Sequence, residues 1–217
     1  AEARAHKPHI DWANYTPPRP KFIGRRTFKN YDLSDVLHYI DWTPFFQTWS
    51  LFGQYPAILE DKVVGEQAKK IFAEGQAMMK KVIEGRWLTA NGVVAFYPSN
   101  TVNEEDIEVY RDESRSEVLF TWRNVRQQTV KREGVDNKCL ADYIAPKSSG
   151  VADYIGLFAV TGGLGIEKHD AAFLADNDDY SSIMLKSIAD RLAEGFAECL
   201  HARVRKDLWG YVPDETL

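Results

Sequence analysis

The chain has 217 residues, 44% of them apolar, with 27 basic against 32 acidic side chains and a net charge of −5. That apolar content can bury a sizeable core in one domain or two small ones, while scattered, slightly acidic charge argues against a dedicated nucleic-acid binder. The longest apolar runs, such as YIGLFAV at 154–160, fall far short of a bilayer span. With no hydrophobic signal region at the start, a cytoplasmic protein without a membrane anchor is expected.

Residues 1–30 read as a proline-rich linker. The stretch HKPHIDWANYTPPRPKF has prolines at 8, 17, 18 and 20, which favour an extended, polyproline-like path over a helix. Trp12 and Tyr15 are unusual in a free linker, so the arm is expected to lie along a surface. From Leu33 the pattern turns helical: Ser34 and Asp35 can cap a short turn through Val36, Leu37 and Ile40. Thr43 and Pro44 then offer a second start, with Thr43 as N-cap and Pro44 at the first helical position. Phe45, Phe46, Trp49, Leu51 and Phe52 would form its inner face, ended by Gly53 and Pro56. Residues 63–84 carry Val64, Ala68, Ile71, Phe72, Met78, Met79 and Val82 at helical spacing and predict a long amphipathic helix.

The period then changes. Residues 92–99, 106–112, 117–123 and 153–160 are short runs rich in Val, Ile, Phe and Tyr, divided by Asn, Gly, Asp and Glu. The second and third are close enough for a hairpin. Residues 179–208 predict one more long helix, with Leu185, Ile188, Leu192, Phe196, Leu200 and Val204 on one side and Asp190, Glu194, His201 and Arg205 on the other. Helices, then strands, then a long helix indicate an α+β fold: an antiparallel or mixed twisted sheet flanked by helices, including one long C-terminal helix.

Chemistry is sparse in this pattern. There is no GxSxG, HExxH or GxxxxGK[ST], so no catalytic residue is assigned. TGGLG at 161–165 can be read as a tight turn or as a phosphate cradle lacking its lysine. His6, His9, His38, His169 and His201 share no spacing that would gather a metal, and no metal ligand is assigned. Cys139 and Cys199, without a CxxC or a nearby histidine pair, suggest neither a disulfide framework nor a zinc site. Arg115, Arg123, Arg126, Lys131 and Arg132 form a basic cluster in sequence that can be a solvated surface or a docking patch for an acidic partner. Asp41, in YIDWTPFFQTWSL, is either a cap at a helix start or a charge held out for a ligand.

Several ordered stretches resemble one family: HYIDWTPFFQTWSLFGQYP, GVVAFYPSN, DIEVYRDESR, RQQT, CLADYIAPKSSGVADYIGLFAVTGGL and DDYSSIMLKSIADRLAEGFAECLHARVRKDLWGY. Together they are similar to the C-terminal activation domain of cobalamin-dependent methionine synthase, with YTPPRP similar to the linker before it. The resemblance implies a domain over residues 31–217, part of a methyltransferase, that binds S-adenosylmethionine and supports reductive remethylation of oxidised cobalamin held by another module. Flavodoxin or a related reductase would supply the electron. Asp41 and Glu194 correspond to acids placed at the S-adenosylmethionine site in this family. The family's Arg-Pro-Ala-Pro-Gly-Tyr-Pro stretch has no counterpart before Leu217, so the domain is expected to be truncated on that side and the piece alone is not expected to turn over. An Ala1 start without methionine agrees with a piece of a longer chain. Two alternatives remain: a non-catalytic docking module for the cobalamin module and a flavodoxin-type donor, and a free-standing adenosine-ligand binder using TGGLG.

Overall fold

The computed structural model describes residues 2–216. Its strands are β1 (Gly24–Phe28), β2 (Thr89–Val102), β3 (Asp106–Tyr110), β4 (Val118–Arg123) and β5 (Asp153–Leu164). Its α-helices are α1 (Glu2–Ala5), α2 (Thr43–Thr48), α3 (Gly65–Glu84), α4 (Ile166–Ala175) and α5 (Asp179–Arg203). The five strands form one antiparallel sheet in the order β1-β2-β3-β4, with β5 also beside β2. The α+β expectation is borne out, long C-terminal helix included: α5 continues as a π-helical turn over Val204–Leu208.

The chain divides into two compact units, and β2 and β5 each contribute residues to both. One unit holds Val94–Phe158 with the segments before Thr27 and after Arg203. Here Asn103 and Glu104, both at positive φ, turn β2 into β3, pairing Ser99 with Val109 and Val102 with Asp106. The expected hairpin follows, with Ile107 opposite Trp122 and Val109 opposite Phe120. Ile107, Val109, Cys139, Ala141 and Ile155 make a buried cluster. The linker-like arm packs within this unit: Phe22 lies 4.8 Å from Phe96, and Trp209 Nε1 donates to the Pro18 carbonyl at 2.7 Å.

In the same unit, the basic cluster does not form one surface patch. Arg126 is buried, gripping the Asp142 carboxylate at 2.6 and 2.7 Å and donating to the carbonyls of Glu104 and Asn137. Arg115 reaches the Ser99 and Asp153 carbonyls and Asn100 Oδ1. Both serve the fold, because charges that read as surface in sequence were needed to satisfy carbonyls and a carboxylate in the interior.

The other unit, Thr27–Val93 with Ala159–Arg203, is mainly helical. Val36, Phe45, Phe46, Val82, Leu185, Ile188, Leu192, Phe196 and Leu200 are all fully buried, which is the face expected of α5; of the inner face expected of α2, Phe45 and Phe46 are in the core, but the helix ends at Thr48 and Phe52, beyond it, is 77% exposed. TGGLG corrects the reading of 161–165 as a turn or phosphate cradle: Thr161–Leu164 continue β5, and only Gly165 leaves it, starting α4. A Cβ on Gly162 would lie 2.6 Å from the Ala193 backbone nitrogen, so this glycine is there to let α5 come close to the strand. Among the described residues no helix is long and apolar enough to cross a membrane.

Candidate functional site

In the helical unit a 3-10 turn over Leu33–Tyr39 is capped by Asp32, whose Oδ1 accepts the Ser34 N–H at 2.9 Å. The chain then runs through Ile40 and Asp41 into α2. Thr43 is not the N-cap expected from sequence. The helix starts after Trp42, and Asp41 Oδ1 accepts the Thr43 N–H at 2.8 Å. The Thr43 hydroxyl instead accepts the Tyr55 N–H at 3.1 Å, so it does not cap the N–H groups that follow it in the helix. The aromatic residues near Asp41 in sequence pack on one another and on α3: Trp42 sits 5.2 Å from Phe45 and 4.9 Å from Phe72, and Tyr55 sits 5.2 Å from Phe72. Asp41 itself is exposed, and its Oδ2 takes no partner among the described residues.

Glu194 lies on the solvent side of α5, its side chain 53% exposed. Three residues earlier, Arg191 is nearly buried at 7%, with Nη2 donating to Asp190 Oδ2 at 2.6 Å. Its Nη1 is 2.6 Å from Glu194 Oε2, an ion pair held off hydrogen-bond alignment. The next residue, Gly195, sets the spacing to the turn before Asp41: a Cβ there would lie 2.8 Å from Ile40 Cδ1 and 3.1 Å from Val36 Cγ1. The residues following Ile40 and preceding Gly195 are the two sequence-predicted acids. Neither is hydrogen-bonded to the other; what relates them is this close approach of helix and turn.

Sequence reasoning did not single out Arg191 as Glu194's partner, although an acid three residues after a base is a helix-spacing signal. It also missed Tyr180 at the start of α5, which packs 4.9 Å from Trp49 and gives its hydroxyl to Glu74. Burial, and then that bond, push the Tyr180 phenol up to about 12. No group of three or more His, Cys, Asp or Glu side chains among the described residues is arranged to hold a metal ion. Cys139 and Cys199 are both buried, free thiols.

The fold and this face define an α+β domain that carries one carboxylate at a helix start and another on the solvent side of a long helix. The family model for the vitamin B12 dependent methionine synthase activation domain matches residues 32–217, and the chain belongs to that family. Its structure is similar to a crystal structure of the MetH reactivation domain bound to AdoHcy, with a TM-score of 0.93 and 50% sequence identity. That match covers 100% of this chain and 66% of the other, so the chain spans just under two thirds of the length of its structural relative.

Proposed function

We propose that this domain binds S-adenosylmethionine at the face carrying Asp41 and Glu194 and supports reductive remethylation of oxidised cobalamin in a cobalamin-dependent methionine synthase. The observation that carries the reading is the likeness, along all of this chain and at 50% identity, to a reactivation domain holding AdoHcy, which is that methyl donor without its methyl group. Residues 31–217 are then part of the activation domain and residues 1–30 its linker. The packing of Phe22 on Phe96 favours a linker held against the domain over a free tether.

The side chains suit such a ligand. Asp41 has one oxygen fixed by the Thr43 N–H and Glu194 has one held by the charge of Arg191, and the other oxygen of each is free among the described residues. Free carboxylate oxygens accept charge-assisted hydrogen bonds from an ammonium group, and their field favours a cation. S-adenosylmethionine would bring a methyl group on a sulfonium, and reduced cobalamin held by another module would receive it, with S-adenosylhomocysteine as the leaving group. The work left to this chain is to hold the donor in place, which needs no general base. Flavodoxin or a related reductase as electron donor, and the cytoplasm as the location, complete the reading. No arginine for the ligand carboxylate and no tyrosine contact is assigned among residues 1–217.

Titration calorimetry tests this. The full-length enzyme should bind S-adenosylmethionine at least 100-fold more tightly than the 217-residue chain, since loss of an arginine pairing a carboxylate costs about 1.5–3 kcal/mol and loss of aromatic contacts adds to it. Equal affinities would place the whole site within residues 1–217, and no binding to either would refute the reading.

A further inference from the structure

Asp41 and Glu194 are fixed alike by different means. Each gives one oxygen to an anchor and keeps the other free among the described residues; the anchor is the Thr43 N–H for Asp41 and the Arg191 guanidinium for Glu194. A guanidinium taken out of water is costly unless paired. Arg191 meets that need by reaching up to Asp190 and Glu194, whose side chains are 73% and 53% exposed. An ordinary surface pair fixes nothing, because both long side chains stay mobile. Here one partner is packed in, so much of the entropy of orienting the pair has been lost on folding. Nη1 is buried with no aligned hydrogen-bond acceptor, so its only tie is the charge contact with Glu194.

We propose that Arg191 is a positioning residue for Glu194: it holds Oε2 inward so that Oε1 faces out as the acceptor for the ammonium group of S-adenosylmethionine. This rests on the role given to Glu194 in the proposed function. Arg191 does not touch the ligand. Its positive charge opposes cation binding, but at a half-exposed carboxylate solvent screens that field, and the loss of orientation outweighs it.

A double-mutant cycle in the full-length enzyme, read by calorimetric titration with S-adenosylmethionine and by thermal unfolding of the same samples, tests the idea. Arg191→Gln should raise Kd about tenfold, and by less than about twofold in a Glu194→Gln background, because contacting residues that act as a unit are not additive. Arg191→Lys, which keeps the charge and loses the planar fork, should give a smaller loss and carries the cycle if Arg191→Gln does not fold. An equal loss in both backgrounds overturns the proposal, as does an unchanged Kd for Arg191→Gln when Glu194→Gln alone weakens binding. An unchanged Kd for Glu194→Gln alone refutes the role of Glu194 itself, and the proposal with it.

Discussion

Replacing Asp41 by asparagine separates the two jobs of its carboxylate. Oδ1 accepts the Thr43 N–H at 2.8 Å, and an asparagine side-chain oxygen can do the same, since Asn and Asp are nearly equal as helix caps. What asparagine loses is the charge, worth about 0.3–1 kcal/mol at a helix start. For a chain of this length that lowers Tm by roughly 1–4 °C. The free oxygen fares differently. If asparagine keeps its oxygen on Thr43, it presents an amide N–H₂ where Oδ2 was, and a charge-assisted bond to an ammonium group is lost. That costs about 1–3 kcal/mol, or roughly 5- to 150-fold in Kd. Asp41→Ala loses both functions, with a further cost of about 0.5–2 kcal/mol in stability. The assay pairs calorimetric titration of the full-length enzyme with thermal unfolding. Unchanged affinity in Asp41→Asn beside a lower Tm in Asp41→Ala would reduce Asp41 to a cap.

Charge reversal at Arg126 should unfold the carbonyl-lined site around Asp142 rather than slow the docking of a partner, at a cost of about 3–5 kcal/mol for breaking a buried pair; chemical denaturation reads this, and a wild-type midpoint would contradict it. Gly162→Ala should cost about 1–3 kcal/mol, because its methyl group would meet the α5 backbone at Ala193; a neutral effect would mean that strand and helix can part freely. The phenol of Tyr180, raised in the folded state, contributes stability that is present below the ordinary tyrosine range and is lost as pH climbs from 10 towards about 12. The phenolate absorbance difference between the protein and its Tyr180→Phe variant should therefore appear near pH 12, and an appearance near pH 10 would show that neither burial nor Glu74 acts on it.

The periodic elements were legible because one apolar stripe decides them. Leu185, Ile188, Leu192, Phe196 and Leu200 are all buried on α5 as their spacing implied, and the β3–β4 hairpin follows from two short β-rich runs near each other. Where long-range contacts overrule local signals, the sequence misleads. The glycines of 161–165 look like a turn, yet Gly162 sits in a strand for the sake of a helix some thirty residues later. Arg126 looks like a surface charge until Asp142 and two carbonyls from distant loops close around it. At the site, the positions of Asp41 and Glu194 came from the family resemblance. That Asp41 could cap a helix start was open to the sequence as well; the anchoring of Glu194 was not, because a buried Arg191 becomes apparent only when the chain is folded.

Transfer of a labelled methyl group tests the central claim most directly. Full-length enzyme with oxidised cobalamin, given a reductant and S-adenosylmethionine labelled in its methyl carbon, should carry the label onto the cobalt of the cobalamin, and an Asp41→Asn/Glu194→Gln variant of unchanged fold should need at least about tenfold more donor to reach the same rate. Label transfer with the same dependence on donor concentration in both proteins would contradict the account.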